Sequence, residues 1–374
     1  MPGLVRPSGI SKLSLVVMAA ACAGACAGGQ KLNVEKIDAT TRPPANVALY
    51  LKIKGQGGQR VELEASDFKV YEDGKAVPSK KLKRALLPVK YVLQRYALIL
   101  VDLSGPLVDS EYLSTLHDSV AGLAAQIGKN MKVAISGFDG DGIVPFVTFE
   151  DEEPTAGLAG MRKFRPRGRN VDLWGAFVNG LDSLDKTAAH ASVPYHQLSM
   201  VVVTDRWDRA GKHSQEEVVA KVKKAPADVY VIGIGDSVNR EDLELVGKSG
   251  AFFAEKPKDI PKPFVDVATK IDGTLGQDYL FAYCSPQKAG ARAGKHVVEV
   301  KIGKARVEHE FSTKGFTGAT CDPKKKPEFG AAAEKVQSSA ADGADGEGDE
   351  DAGESKKARG GKKRAKRADE ESEE

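Results

Sequence analysis

The chain has 374 residues, of which 55 are Lys or Arg and 52 are Asp or Glu, so its formal net charge is +3. This length predicts about two folded units with additional segments. A composition with 41% hydrophobic residues excludes collagen, a coiled coil, a membrane protein of many spans and a wholly disordered chain. Four cysteines are too few for a disulfide-dense scaffold.

Residues 1–26 resemble an export signal. Two basic residues precede a short apolar stretch, 13–21, which is followed by small residues and Cys22. Small residues before a cysteine resemble the lipobox of bacterial lipoproteins, in which the cysteine is acylated. We therefore expect an exported lipoprotein of the bacterial cell envelope, anchored in the membrane by a lipid on Cys22 or, alternatively, on Cys26. Ordinary cleavage and release as a secreted or periplasmic protein is the other possibility.

Residues 27–93 predict a small β-rich domain. Apolar and polar residues alternate over 48–53 and again over 60–63, and a glycine-rich turn separates the two stretches. Residues 67–74 predict a further strand that leads into a tight turn. The whole segment resembles a β-sandwich-like region.

Residues 94–274 alternate between strand and helix patterns. The stretch 96–101 is continuously apolar, as a strand buried on both faces requires. Strands that alternate with helices predict an α/β fold, in which a doubly wound, mostly parallel sheet has helices on both faces. The predicted strands are 96–101, 131–138, 143–149, 198–204, 229–234 and 251–254, and the predicted helices are 109–127, 171–184, 216–223, 241–248 and 263–271.

Two aspartates directly follow predicted buried strands. Asp102 follows the first strand and Asp205 follows the strand 198–204, so both should lie at the carboxyl edge of the sheet, where ligands of such folds bind. Ser104 adds a hydroxyl beside Asp102. Carboxylate and hydroxyl oxygens are ligands that Mg²⁺ accepts. The alternative is that both aspartates only cap the loops or helices that follow them.

Residues 275–322 predict a second β-rich segment. It is too short to form a core of its own, so we expect it to pack on the N-terminal β-rich region, with the α/β domain inserted between them. Its predicted strands are 279–283, 296–302 and 307–311. Cys284 and Cys321 flank these strands, and in an exported chain they predict a disulfide, with two free thiols as the alternative.

Residues 323–374 predict a disordered charged tail. From Lys324 onward they include 12 Lys or Arg, 14 Asp or Glu and a single aromatic residue, Phe329. Such a segment does not bury enough apolar surface to offset the entropy of ordering it. Its basic block, 356–367, lies between two acidic blocks, and beside an export signal it does not indicate nucleic-acid binding.

The centre of the chain resembles the von Willebrand factor A domain family. The resemblance covers roughly residues 94–273 and depends on the joint order of four motifs rather than on any one of them. The motifs are Asp102-Leu-Ser104, Asp172-Leu-Trp-Gly-Ala176, Val201-Val-Val-Thr-Asp205 and Tyr230-Val-Ile-Gly-Ile-Gly235. This resemblance implies a Rossmann-like open α/β sheet that serves as a binding module, often through a metal-ion-dependent adhesion site.

The metal-ion-dependent site of that family is only partly present. Asp102 and Ser104 match its first two ligand positions, and Asp205 matches its last acid. Pro106 and Val171 replace the other two ligands and have no hydroxyl. The resemblance therefore implies a degenerate site, with Mg²⁺ or Mn²⁺ as the candidate ion.

The remaining candidates for partner binding lie near the same edge. The basic run 162–169 contains Arg165, Arg167 and Arg169 and precedes a predicted edge loop, and Trp207 follows Asp205. No motif indicates an enzyme or a small-molecule substrate. We therefore expect a non-catalytic, envelope-anchored binding module that engages a protein or an acidic envelope component at this edge. The alternative is an assembly protein with an inert edge, whose β region and tail bind the partner.

Overall fold

The structure, a computed structural model, describes residues 31–105, 112–155, 157–167, 170–287, 294–317 and 319–330. The predicted lipidation sites Cys22 and Cys26, the sites Pro106 and Arg169, and most of the predicted tail lie outside these residues. The strands are β1 (Asn33–Arg42), β2 (Asn46–Lys54), β3 (Phe68–Glu72), β4 (Lys75–Ala76), β5 (Arg84–Leu87), β6 (Leu93–Asp102), β7 (Lys132–Phe138), β8 (Ile143–Val147), β9 (Tyr195–Thr204), β10 (Asp228–Ile234), β11 (Gly250–Ala254), β12 (Asp278–Cys284), β13 (Lys295–Ile302) and β14 (Ala305–Ser312). The α-helices are α1 (Leu113–Ile127), α2 (Ala159–Lys163), α3 (Leu173–Ala189), α4 (Gln215–Lys224), α5 (Arg240–Val246) and α6 (Pro261–Thr274).

A six-stranded central sheet has the strand order β11-β10-β9-β6-β7-β8. All its pairs are parallel except β7 with β8, which are antiparallel and joined by a short connection at 139–142. Strand β6 lies inside the sheet, between β9 and β7, and its apolar run is buried throughout. This sheet confirms the predicted α/β fold with a doubly wound, mostly parallel sheet.

Helices cover both faces of the central sheet, because the inner strands are apolar on both sides. Ala97, Ile99 and Val101 of β6 belong to a core with α1 and α6. Leu98 and Leu100 of the same strand belong to a second core with α3, α4 and α5. Among the described residues, no helix is both long and apolar enough to cross a membrane.

A β-sandwich is formed by the remaining strands. Its first sheet has the order β1-β2-β12-β5 and its second sheet the order β14-β13-β3-β4. Each sheet combines strands that precede the central sheet in the chain with strands that follow it. The residues that face each other include Leu49, Leu51, Phe68, Phe281 and Val300, which share one apolar core. Neither chain segment could bury these side chains without the other.

The α/β domain is inserted where the first sheet of the sandwich meets the central sheet. Strand β12 pairs antiparallel with both β2 and β5, so the chain returns beside the strand it had left. At this junction Arg95 of β6 donates to Asp278 of β12 at 2.8 Å, and the two side chains are 15% and 5% exposed. The hydroxyl of Tyr50 donates to the other oxygen of Asp278 at 2.8 Å. This nearly buried ion pair joins the two parts of the molecule.

The last described segment lies against the first sheet of the sandwich. Cys284 and Cys321 form a disulfide. Residues 323–330, which fall in the predicted tail, continue from it along the sheet. Glu328 makes an ion pair with Arg42 and accepts a hydrogen bond from Thr40 through its carbonyl, and Phe329 packs against an apolar cluster. The charged composition of this segment does not indicate these contacts.

Replacing Arg95 should destabilise the protein more than breaking a surface ion pair. Arg95→Met leaves the buried Asp278 without its cation, and such a loss costs about 3–5 kcal/mol in the free energy of unfolding. Urea unfolding of the two proteins measures the difference. The matched control is Lys262→Met, which breaks the exposed pair with Asp266 and should cost less than about 1 kcal/mol. Equal losses for the two variants would contradict a special role of the Arg95–Asp278 pair.

Candidate functional site

The carboxyl ends of the parallel strands form one edge of the central sheet, here called the rim. Asp102, the last residue of β6, is almost completely buried there. Its Oδ1 accepts hydrogen bonds from the backbone amide and the hydroxyl of Ser104, at 2.9 Å and 2.6 Å. Its Oδ2 accepts a hydrogen bond from the Thr204 hydroxyl at 2.8 Å. Asp102 therefore links the loop that follows β6 to the end of β9.

Thr204 is a rim residue that the sequence analysis did not select. It is the last residue of β9 and is buried, and its hydroxyl lies within hydrogen-bonding distance of both Asp102 and the carbonyl of Arg206. Its position directly before Asp205, a predicted rim residue, could have identified it from the sequence. Because β6 and β9 are parallel neighbours, their terminal polar side chains had to meet.

Asp205 lies next to Asp102 but is paired differently. Its Oδ1 accepts a hydrogen bond from Nε of Arg206 at 3.2 Å, and both side chains are largely buried. Its carboxylate packs so closely on Gly105 that a Cβ at that position would overlap it. Glycine is therefore required after Ser104 to admit the carboxylate.

The two neighbouring carboxylates influence the ionisation of Asp102. Burial and the negative charge of Asp205 raise the pKa of Asp102 from 3.8 to about 6, and the hydrogen bonds from Ser104 and Thr204 only partly oppose this. At neutral pH, Asp102 thus carries a charge that is solvated by three protein donors instead of water.

The predicted edge loop that follows the basic run carries Asp172, which is used structurally. Asp172 is the N-cap of α3, and its Oδ1 accepts a hydrogen bond from the amide of Gly175 at 3.0 Å. The sequence pattern predicts that this helix begins at Val171. It begins at Leu173 instead, because Asp172 caps it. The other oxygen pairs with Nζ of Lys212 at 3.0 Å, and Lys212 also donates to the carbonyl of Gly140 at 2.9 Å. Sequence reasoning missed Lys212, because nothing in its local pattern indicates a partner 40 residues away in the chain.

The basic run is attached to the end of β7. Asp139, which is completely buried, accepts a hydrogen bond from the backbone amide of Arg167 at 2.8 Å. Burial raises the pKa of Asp139, but this bond and those from the amides of Asp141 and Gly142 outweigh burial and lower it below its usual value. The Arg165 and Arg167 side chains are exposed, and Arg169 lies outside the described residues.

Trp207 is the large apolar side chain of the rim that faces solvent, and it is 52% exposed. The guanidinium of the equally exposed Arg209 lies over its ring, 5.2 Å from the centroid. The other rim tryptophan, Trp174, is buried in the second core and contacts Phe177. Only one of the two tryptophans at the predicted edge is therefore available to a partner.

The oxygen ligands present at the rim do not form a complete site for a divalent cation. The oxygens of Asp102 accept hydrogen bonds from Ser104 and Thr204, and Asp205 is paired with Arg206. Val171 is fully buried and has no hydroxyl, and Pro106 has none either. Across the described ranges, no group of three or more His, Cys, Asp or Glu side chains could hold a metal ion.

Comparisons with known proteins found similarity in structure alone. No family model matches the chain, and no curated protein sequence matches it. Proximal thread matrix protein 1 from the mussel byssus is 18% identical, with 48% of each chain covered and a TM-score of 0.42, so this chain spans about half the length of that protein. A von Willebrand factor type A protein from Catenulispora acidiphila is 8% identical, with 76% of this chain and 72% of that chain covered and a TM-score of 0.38. The manganese-loaded TRAP protein of Plasmodium vivax is 12% identical, with 65% and 97% covered and a TM-score of 0.41.

The chain is thus similar to von Willebrand factor A proteins of known structure, as its motifs predict. At these identities and TM-scores the similarity concerns the fold and says nothing about what the rim binds. Only the side chains of this chain indicate what its rim could bind.

Replacing Asp102 with Asn should remove a pH-dependent cost in stability. Because the folded pKa of about 6 lies above the ordinary value of 3.8, the folded state binds the proton more tightly, and stability falls as pH rises between these values. The shift corresponds to about 3 kcal/mol, so Asp102→Asn should gain up to about that amount over the parent between pH 4 and pH 7. Denaturant unfolding in EDTA across this pH range measures the difference.

The control for this experiment is Asp236→Asn at an exposed aspartate on a neighbouring loop. The pH dependence of the stability difference should be larger for Asp102→Asn than for this exposed variant. A pH-independent difference between Asp102→Asn and the parent would show that burial does not perturb Asp102 as described.

Divalent cations should bind weakly at the rim, because the donor set is incomplete. We expect calorimetric titration of the protein with Mg²⁺ or Mn²⁺ to show no saturable heat below about 1 mM. A saturable heat that Asp205→Ala abolishes, while Asp236→Ala leaves it unchanged, would show that the rim does hold the ion.

Proposed function

We propose that this chain is a non-catalytic binding module that holds a partner protein at the rim. The observation that supports this best is the sorting of charge at that edge. Four rim aspartates are buried and accept hydrogen bonds from neighbouring groups, whereas an aromatic ring and arginines reach solvent. Two acids, Asp236 and Glu241, are also exposed beside the aromatic ring. Such a surface favours a partner segment that carries acidic residues.

The buried charges of the rim belong to four aspartates, one on each of the rim loops described above. Asp102, Asp139, Asp172 and Asp205 are all buried. Each is held by a different set of protein donors, although at Asp102 these donors only partly oppose the effects of burial and of the Asp205 charge. Because all four side chains are buried, none of them forms part of the surface that an acidic partner would contact.

The outward side consists of Trp207, Arg209, Arg165 and Arg167, which are all exposed. Trp and Arg are enriched among the residues that dominate binding energy at protein interfaces. Arginine also recognises carboxylates through paired hydrogen bonds. These residues are the contact set that we assign to the partner.

The loop that carries Trp207 is held in place before any partner arrives. The amides of Arg209 and Ala210 both donate to the carbonyl of Val171 at 3.0 Å. Asp208 accepts a hydrogen bond from the amide of Trp174 at 3.1 Å. A pre-formed loop lowers the entropy lost on binding, which favours a binding role for the tryptophan.

The groove beside Trp207 favours a protein over a uniformly acidic polymer. Asp236 and Glu241 line this groove together with Trp207 and Arg209. A polyanion would be repelled by the two acids, whereas a folded protein can place acidic groups near the arginines and basic or apolar groups in the groove.

Catalysis is not part of this proposal. Asp102 has a raised pKa of about 6, which a general base would need, but it is buried and both of its oxygens already accept hydrogen bonds. Its burial keeps a substrate from reaching it.

We also propose that the module works in the bacterial cell envelope, exported and anchored by a lipid at Cys22 or Cys26. This part is supported by the sequence of the N-terminus and concerns residues outside the described ranges. The lipid anchor would place the rim near envelope proteins, which are the partners we expect.

Crosslinking from the rim tests this function directly. A photo-reactive phenylalanine analogue at position 207 of the full chain should give a discrete crosslinked product in cells, and Arg209→Ala should reduce its yield several-fold. High salt should reduce the yield as well, because arginine–carboxylate attraction is screened. EDTA should not change it.

The matched control places the same analogue at Val265, which is 57% exposed on α6 and belongs neither to the loop of Trp207 nor to the basic run. It should not give the same product. Equal crosslinking from positions 207 and 265, or crosslinking that Arg209→Ala leaves unchanged, would favour the alternative in which the rim is inert and another region binds the partner.

A further inference from the structure

A polar cavity of about 550 Å³ lies at the opposite end of the central sheet from the rim. One wall comes from the first sheet of the β-sandwich, through β2 and the start of β12. The other wall comes from the α/β domain, through the end of α3 and the starts of β9 and β10. Its volume lies in the range typical of small-molecule sites, which often occur between domains.

Two lysines on the sandwich wall make no ion pair with any residue that the structure describes. Lys52 and Lys54 are two residues apart on β2, so they point to the same face of the strand, and both line the cavity. Both are half-buried. Neither makes an ion pair with a carboxylate of the described residues. Lysines in such positions are usually paired, because partial burial weakens their hydration.

The opposite wall presents hydrogen-bond acceptors and negative charge. Asp185, which is exposed, and Asp228 line it together with His196. Oδ1 of Asp228 accepts a hydrogen bond from the Ser249 hydroxyl at 3.1 Å, so its Oδ2 is the oxygen left for a ligand. Nε2 of His196 is buried and has no hydrogen-bond partner among the described residues. Burial lowers the pKa of His196, which a hydrogen bond at the backbone of Val193 only partly opposes, so the ring is neutral at pH 7. With the proton on Nδ1, Nε2 is an acceptor that lacks a donor.

The floor between the two walls is already complete. Arg95 pairs with Asp278, and its Nε donates to Gln197 at 3.0 Å. Gln197 in turn donates to the Thr274 hydroxyl at 2.8 Å. Because these groups satisfy one another, the unmatched groups of the cavity are those on its two walls.

We propose that this cavity binds a small zwitterionic ligand of dipeptide size. Its carboxylate would lie against Lys52 and Lys54, and its ammonium and amide N–H groups would donate to Asp185, Asp228 and His196. The site is separate from the rim and does not depend on the function proposed for it. It also departs from the sequence-based expectation of no small-molecule ligand.

The arrangement of the walls selects this chemical class. An anion without a donor group would meet the lysines but would leave Asp185, the second oxygen of Asp228 and His196 without a donor. A simple cation would match the acids but would leave both lysines unmatched. A ligand with opposite charges at its two ends satisfies both walls at once and bridges the sandwich to the α/β domain.

The probe for this site is alanylalanine with free termini, titrated into the full-length protein at low salt. We expect saturable binding by calorimetry. N-acetyl-alanylalanine, which lacks the ammonium, and alanylalanine amide, which lacks the carboxylate, should each bind at least about tenfold more weakly. Lys52→Gln and Lys54→Gln should each weaken binding of the free dipeptide about tenfold or more, whereas Lys69→Gln, at an exposed lysine on β3, should not change it.

An NMR measurement keeps the proposal testable if a lysine variant does not fold. The ¹⁵N resonance of His196 Nε2 in the parent protein should shift on addition of the free dipeptide and should shift little with either blocked form. A flat titration with the free dipeptide to about 10 mM would overturn the proposal and identify the cavity as a space filled with water. Equal binding of the free and blocked peptides, or unchanged binding by both lysine variants, would overturn it as well.

Discussion

The nearly buried pair of Arg95 and Asp278 holds the two parts of this molecule together. Arg95 belongs to the strand that opens the central sheet, and Asp278 belongs to the strand with which the chain returns to the sandwich. The residues are 183 positions apart in the chain and 2.8 Å apart in space. Each charge would be costly to bury alone, so each requires the other at this place. The pairing therefore fixes where the inserted domain leaves and rejoins the sandwich.

The same strands connect this junction to the rim. Strand β6 carries Arg95 near its beginning and Asp102 at its end, and β9 carries Tyr195 and Thr204 in the equivalent positions. Ten residues of strand span about 30 Å, so the two ends are well separated. The hydroxyl of Tyr195 donates to Asp38 of the sandwich at 2.6 Å, which is a second link at the junction. The central sheet thus lies between the junction, which has the polar cavity beside it, and the rim, which faces solvent.

The sequence predicts the features that follow from a local pattern of residues. It misses the contacts between side chains that are far apart in the chain. Continuous apolar runs such as 96–101 identify the buried strands, and the residues that follow them identify Asp102 and Asp205 as rim positions. No local pattern shows that Lys212 reaches Asp172 or that Arg95 reaches Asp278. The packing of Phe329 was hidden for the same reason, since one aromatic residue in a charged segment does not change its composition. Burial follows from periodicity, but the partner of each polar group follows only from the assembled topology.

The rim also shows why motif residues and binding residues need not be the same. Asp102 and Ser104 match a metal-binding motif, yet here Asp102 joins the end of β6 to Ser104 and Thr204 through three hydrogen bonds. This role shapes the loop whether or not a cation is bound, so the presence of the two residues does not by itself indicate a metal. What distinguishes this rim is the set of side chains that it exposes to solvent, which includes the aromatic ring of Trp207. Trp207, with Arg209 over its ring, stabilises neither core, because it lies outside both of them. In the function proposed above, a partner gives this side chain its role, and the arginines near it are the reason why we expect that partner to carry acidic residues.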